Sequence, residues 1–301
     1  QVEFATAQTP KEAIKEIASA DAVWGHVSRE VFLAAKRLRW LQHKGAGMNW
    51  MLKVPELIES DVVVTNSSGA AAPTIAERAF GMLISLARKF RSLDSAQRAR
   101  AWLDYGEYKP VGLAGLTLGV LGLGKIGNAF AKRGHAFDMK VIAVDANDVP
   151  RASYISGFWR LDGLSEFLRR ADAVVVCVPL TKETQGMLGA NELALMKPSA
   201  YLLAVSRGGI VDEHALSCAL KEGLLAGAGL DVMQHENLLG EHAPLPADSD
   251  LWEVPNLILS PHCSGKSERT NVMTKAILRD NLERFLAGMP LVNVVDKRRG
   301  Y

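Results

Sequence analysis

Short apolar runs alternate with longer segments of helical periodicity along most of this 301-residue chain. That alternation predicts an α/β fold in which helices connect the strands of a parallel sheet. β-rich runs fall at 117–121, 140–144, 173–178, 201–205, 228–230 and 257–259. Between them, 126–137, 164–170 and 212–222 carry apolar residues at helical spacing, and Asp212 stands where an N-cap is needed. Earlier in the chain, 22–24, 38–41 and 62–64 read as short strands, and residues 1–4 as a further one. Ile75, Ala76, Ala79, Phe80, Leu83, Leu86 and Ala87 define a helix over 73–88, with Thr74 just before them. A last amphipathic helix covers about 268–286, where Gly288 and Pro290 stop it. There is no internal repeat and no low-complexity tract.

The strand at 117–121 runs into Gly122-Leu123-Gly124-Lys125-Ile126-Gly127, and a helix follows. In that setting a glycine-rich turn reads as a dinucleotide site. Gly122 allows the tight turn, Gly124 lets the backbone approach a pyrophosphate, and Gly127 lets the helix pack on the strand. The pyrophosphate would rest on the amides near Lys125 and Ile126, at the positive end of the helix. Asp145 ends the next strand, where a carboxylate accepts the ribose hydroxyls and repels a 2′-phosphate, so the expected cofactor is NAD.

Composition changes the picture little. Hydrophobic residues at 48% and charged residues at 23% fit an ordinary globular protein long enough for two domains. A net charge of +2 gives no reason to expect nucleic acid, and the basic clusters at 36–39 and 88–91 read as solvated helix ends or a dimer rim. Cys177, Cys218 and Cys263 share no metal-type spacing and cannot all pair, which points to a reducing, cytoplasmic setting without a bound metal. No stretch approaches a membrane span, and no signal-peptide pattern opens the chain.

Three residues carry the candidate chemistry. Arg207 follows the strand at 201–205, Glu236 lies in Gly229-Leu230-Asp231-Val232-Met233-Gln234-His235-Glu236, and His262 follows Pro261 after the last strand. A fixed cation can bind the carboxylate and the polarised carbonyl of a 2-keto acid together. Imidazolium is the natural proton donor near neutral pH, and a neighbouring carboxylate favours that charged ring and orients it. Singly, each residue has a plainer reading as a surface or core group, and Glu241, Asp248 and Asp250 lie near Glu236 in sequence. The ordered set beside a nucleotide site is what points to reversible hydride transfer.

With Gly45-Ala46-Gly47, Ile75-Ala76-Glu77, the glycine fingerprint, Cys177-Val178-Pro179-Leu180-Thr181, Met196-Lys197-Pro198, Ser206-Arg207-Gly208-Gly209 and Pro261-His262 in this order, the chain resembles the D-isomer-specific 2-hydroxyacid dehydrogenases. The Ala46-Gly47-Met48 loop and Asp162-Gly163-Leu164 look most like the glyoxylate/hydroxypyruvate reductase branch. The resemblance implies two Rossmann-like domains with the active site in the cleft between them. One is a doubly wound, parallel-sheet NAD-binding domain over 91–267; the other is a smaller, discontinuous, flavodoxin-like substrate domain built from 1–90 and 268–301. It implies catalytic roles for Arg207, Glu236 and His262. It also implies cofactor contacts at Lys125, Ile126, Asp145, Val178, Pro179, Val205, Ser206, Arg207, Asp231, His262 and Gly265. Asp231 would meet the nicotinamide carboxamide, the amides of Ala46 and Gly47 would join Arg207 and His262 at the substrate, and two copies would pair as a homodimer.

Departures from the family pattern are few. Asn237 stands where proline is common, so 237–243 reads as an insertion beside Glu236, with Glu241 as a rival carboxylate. Asn49 replaces a usual aspartate, and the opening strand typical of the substrate domain is missing before residues 1–4. Met48, Trp50, Met51 and Met233 suit either an apolar pocket wall or plain core. An NAD(H)-responsive, corepressor-like binding protein is the alternative on the same fold, and formate or phosphite oxidation a third. The intact catalytic set favours the dehydrogenase, and the formate enzymes carry glutamine in the role that falls to Glu236.

Overall fold

A computed structural model describes residues 2–104, 106, 108–236 and 243–298. The chain divides into two compact units, one of residues 1–71 with 267–301 and one of 72–266.

The first unit runs α1 (Pro10–Ile17), β1 (Ala22–Trp24), α2 (Arg29–Ala34), β2 (Trp40–Gln42), α3 (Pro55–Glu59) and β3 (Val63–Thr65). Its three parallel strands lie in the order β1-β2-β3, with Leu41 paired to Val23 on one side and Val64 on the other. α1 starts at a capping box in which Thr9 accepts the Glu12 amide and Glu12 reaches back to the Thr9 amide. The strand expected at 38–41 is found at Trp40–Gln42, while Arg37 and Arg39 pair with Asp21. Of the strand expected over 1–4, Gln1 lies outside the described residues, and among the described residues Val2 to Phe4 join no strand, with Phe4 exposed.

The second unit runs α4 (Ala72–Ala87), α5 (Phe90–Arg98), β4 (Thr117–Leu121), α6 (Lys125–Ala136), β5 (Lys140–Val144), β6 (Ile155–Trp159), α7 (Leu164–Arg170), β7 (Ala173–Val176), α8 (Ala190–Leu193), β8 (Tyr201–Ala204), α9 (Glu213–Lys221), β9 (Gly227–Leu230) and β10 (Leu257–Leu259). Its seven strands are all parallel in the order β10-β9-β8-β7-β4-β5-β6. This is the doubly wound arrangement, with the strand order reversing between β4 and β7. Helices cover both faces, so the central strands are apolar without alternation. Phe167, Leu168, Leu202, Leu216 and Leu220 fill one side, and Leu118, Val120, Phe130, Val175 and Leu203 the other. Each fully buried side chain of this size contributes roughly 1.5–3 kcal/mol.

The helix α4 belongs to this second side. Ala76, Ala79 and Leu83 are fully buried there, and the Phe80 ring lies 4.5 Å from that of Phe130 and 5.1 Å from that of Phe137. The units therefore divide at 71/72 and 266/267, whereas the sequence reading divides them at 90/91 and 267/268.

The chain returns to the first unit through α10 (Glu268–Leu286), capped by Ser267. Asn281 points inward from it, fully buried. Its Nδ2 donates to Gln42 Oε1 (2.9 Å) and to the Val292 carbonyl (3.0 Å), and its Oδ1 accepts the Val292 amide (2.8 Å). Gln42 Oε1 also accepts from Thr65 Oγ1, which accepts in turn from Trp40 Nε1, each at 2.8 Å. The network ties β2, β3, α10 and the segment at 292 together with its members satisfied. Among the described residues no helix is long and apolar enough to cross a membrane.

Candidate active site

Glycine determines the turn after β4. Gly122 takes φ +95°, its amide donates to the Val144 carbonyl at 2.7 Å, and a Cβ on it would lie 2.9 Å from the Val178 amide nitrogen. A Cβ on Gly127 would sit 1.9 Å from the Gly122 carbonyl oxygen, so only glycine lets α6 begin this close to the strand. Nothing lies within 4 Å of where a Cβ on Gly124 would be, which leaves room beside the first amides of α6, at Lys125 and Ile126. Asp145, at the end of β5, accepts the Leu123 amide on Oδ2 (2.8 Å) and the Asn147 amide on Oδ1 (2.9 Å). Each carboxylate oxygen keeps acceptor capacity for a hydroxyl.

Further strand ends open on the same edge. β7 leads into Cys177, Val178 and Pro179, with Val178 buried against Gly122. Burial pushes the Cys177 thiol up to about 12, so it stays neutral through the physiological range. β8 leads into Val205, Ser206 and Arg207, β9 into Asp231 and then Glu236, and β10 into His262 and Gly265. In an open parallel sheet this carboxyl edge is where ligands bind.

His262 and Glu236 are in direct contact: His262 Nδ1 lies 2.5 Å from Glu236 Oε2. Glu236 is only 8% exposed, and its Oε1 accepts the Met233 amide at 2.8 Å, so the carboxylate is oriented from its own turn. Its rival Glu241 falls, with 237–242, outside the described residues. Arg207 donates from Nη1 to the Ser206 carbonyl at 2.7 Å. The next residue explains why two loops meet here. A Cβ on Gly208 would lie 2.1 Å from the Met233 carbonyl carbon and oxygen, so the Arg207 segment rests directly on the backbone of the Glu236 turn.

Asp231 holds the His262 loop from beneath. It is 1% exposed, and its Oδ1 accepts from Ser260 Oγ (2.5 Å) and the Cys263 amide (3.1 Å), its Oδ2 from the Ser264 amide (3.0 Å). Three donors compensate a buried charge, and they fix a loop whose His262 takes φ +46°, a conformation side-chain-bearing residues seldom adopt. Sequence spacing does not announce this clamp.

Two hydroxyls at this edge, Ser206 Oγ and Ser264 Oγ, are buried with no hydrogen-bond partner among the described residues. A buried orphan hydroxyl is costly. With the room at Gly124 and the acceptors of Asp145, these orphans fit a dinucleotide laid along the strand ends. Ser206 is among the residues expected from sequence at this site, and Ser264 is not.

In the first unit, Ala46 and Gly47 follow β2 in a loop whose Ala46 carbonyl accepts from Asn66 Nδ2 at 3.0 Å. Met48 and Met51 are core residues of that unit, and Met233 is core in the second. Trp50 lies between the rings of His26 (4.6 Å) and His43 (5.4 Å).

A model of the D-isomer specific 2-hydroxyacid dehydrogenase NAD-binding domain matches residues 80–264. The chain belongs to this family. It is 33% identical over 293 residues to a glyoxylate reductase of Thermococcus litoralis, spanning 95% of this chain and 86% of that one. It is 32% identical over 300 residues to the D-3-phosphoglycerate dehydrogenase of Methanocaldococcus jannaschii, spanning 98% of this chain but 55% of the relative. A D-isomer-specific 2-hydroxyacid dehydrogenase family protein of Aeromonas salmonicida superposes with a TM-score of 0.80 at 33% identity, covering 97% of this chain and 90% of that one. As a D-2-hydroxyacid dehydrogenase the chain is an NAD(P)-dependent oxidoreductase acting on the CH–OH group of 2-hydroxy acids, and the binding-protein alternative is disfavoured.

Proposed function

We propose that this dehydrogenase reduces small 2-keto acids of the glyoxylate and hydroxypyruvate size to D-2-hydroxy acids, with NADH preferred over NADPH. The observation that carries this reading is the 2.5 Å contact between His262 Nδ1 and Glu236 Oε2 at the carboxyl ends of neighbouring strands, next to the strand that bears Arg207. Bound NADH supplies the hydride that reduces C2. Arg207 grips the substrate carboxylate and carbonyl with its planar fork, and the arginine's charge favours the developing oxyanion. With Nδ1 committed to Glu236, His262 delivers its proton from Nε2 to that oxygen and recovers one there in the oxidative direction. Glu236 keeps the ring oriented and offsets its charge.

The dinucleotide would be held by the Gly124, Lys125 and Ile126 backbone, by Asp145 at the ribose hydroxyls, and by Val178, Pro179, Val205, Ser206, Asp231 and Gly265, to which Ser264 is added. The test is oxidation of NADH, and in parallel of NADPH, against glyoxylate, hydroxypyruvate, pyruvate, phenylpyruvate and 2-ketoisocaproate. We expect turnover of the small acids and a kcat/KM about tenfold or more higher with NADH, because a 2′-phosphate would meet the Asp145 carboxylate. Silence across the panel sinks the function, and a preference for NADPH sinks the role assigned to Asp145.

The enzyme is also proposed to act as a homodimer in the cytoplasm. The support for pairing is apolar surface left open in one segment: Phe90, Leu93, Trp102, Leu103 and Val111 are exposed, Trp102 completely. Light scattering on the purified protein should give twice the mass of one chain, and Trp102→Glu with Phe90→Glu should shift it to one. A wild-type protein of single-chain mass rejects the dimer. The cytoplasmic assignment rests on three free cysteines.

A further inference from the structure

We infer that Glu213 is a positioning residue for the catalytic carboxylate: it fixes the turn that carries Glu236 to the same segment that carries Arg207. The inference rests on the proposed roles of Arg207, Glu236 and His262. Glu213 opens α9, but it does not cap it. That task belongs to Asp212, whose Oδ1 accepts the Ala215 amide at 2.9 Å. Glu213 instead turns its carboxylate to the Gln234 amide, which donates to Oε1 across 21 residues of sequence.

Gln234 sits inside the turn that aims Glu236. Among the contacts of that turn, three bear on where it sits. Met233 donates its amide to Glu236 Oε1 at 2.8 Å. The Met233 carbonyl lies where a Cβ on Gly208 would be, so the turn cannot move toward the Arg207 segment. Glu213 holds the Gln234 amide and stops it moving away. Residues 206–213 thus form one piece bearing the substrate-binding arginine at one end and the anchor of the Glu236 turn at the other. The spacing between cation and proton donor is set through this piece as well as through the strands.

The cost of placing a carboxylate here points to the same role. Burial raises the Glu213 carboxyl above its ordinary range, reinforced by the neighbouring charges of Glu236 and Asp212, while the Gln234 amide and His235 oppose the shift.

The hydrogen bond, not the charge, performs the positioning, and two variants separate them. Glu213→Gln keeps an acceptor for the Gln234 amide, and Glu213→Ala does not. With the preferred keto acid, Glu213→Ala should lower kcat about 10–100-fold, the range expected when reacting groups shift by about an ångström. NADH affinity should stay within about twofold, and Glu213→Gln should recover most of kcat. A second readout needs no turnover: the low-field proton resonance of the His262 Nδ1–H···Oε2 bond, assigned by its loss in Glu236→Gln. It should persist in Glu213→Gln and disappear or move upfield in Glu213→Ala. Wild-type kcat and an unchanged resonance in Glu213→Ala overturn the inference, as does equal loss in both variants. If the wild type turns over no keto acid, the proposed function fails, while the resonance still decides whether Glu213 positions Glu236.

Discussion

Replacing His262 by asparagine should lower kcat for keto-acid reduction about 10²–10⁴-fold, the range that a positioned general acid contributes. Asparagine is the informative replacement because residue 262 takes φ +46°. Alanine would remove the imidazole and also strain a left-handed position, whereas asparagine enters that region readily. The Asp231 clamp on Ser260, Cys263 and Ser264 is made without the ring itself, so the loop should keep its course. NADH affinity, read by fluorescence titration, should then remain near the wild-type value. Wild-type turnover in His262→Asn would remove the histidine from the mechanism; loss of NADH binding together with turnover would mean that it holds the cofactor instead.

The second large effect is expected at Arg207. Arg207→Ala should reduce kcat/KM for the keto acid about 10²–10³-fold, as when one donor to a developing oxyanion is lost, which is about 3–4 kcal/mol. Arg207→Lys should recover only part of it, because a point charge cannot engage carboxylate and carbonyl together as the guanidinium fork does. The two variants should also differ in which constant suffers. Lysine still attracts the acid, so its defect should fall on kcat more than on KM. Equal, small defects in both variants would place Arg207 outside the substrate site.

The second unit is the more legible in sequence because its strands are buried on both faces and read as unbroken apolar runs. Most of its strand ends and the Asp212 cap of α9 fall within a residue or two of where the pattern puts them. β6 escapes the pattern because Ile155-Ser156-Gly157-Phe158-Trp159 is interrupted by a glycine, and its pairing to β5 shifts register between Val141 and Ile142. α5 escapes it because Phe90–Arg98 buries nothing and so shows no core-facing stripe. α4 is recognisable as a helix, yet its sequence puts it on the wrong side of a boundary: periodicity reports that a face is buried, not against what.

At the site, the fingerprint and the ordered Arg207, Glu236 and His262 are readable because each stands at the end of a recognisable strand. The supports are not. Asp231 reaches Ser264 over 33 residues and Glu213 reaches Gln234 over 21. Such pairings depend on strand order, which spacing along the chain does not contain. Gly208 is visible within its motif, but its reason, the Met233 carbonyl where a side chain would begin, exists only once β8 and β9 lie side by side.

The discontinuity of the first unit has a consequence for the order in which the protein can be completed during synthesis. Residues 72–266 are contiguous and enclose their own core, so they can close as soon as they have emerged from the ribosome. Gln42, made long before, has to wait for Asn281 and Val292. Through that interval Trp40, Leu41 and Val64 belong to a unit that lacks one of its helices. Within these residues the usual vectorial order is inverted: strands made before 72–266 are sealed after it, and exposure of their apolar side chains in a slowly translated or stalled chain is where misassembly would begin.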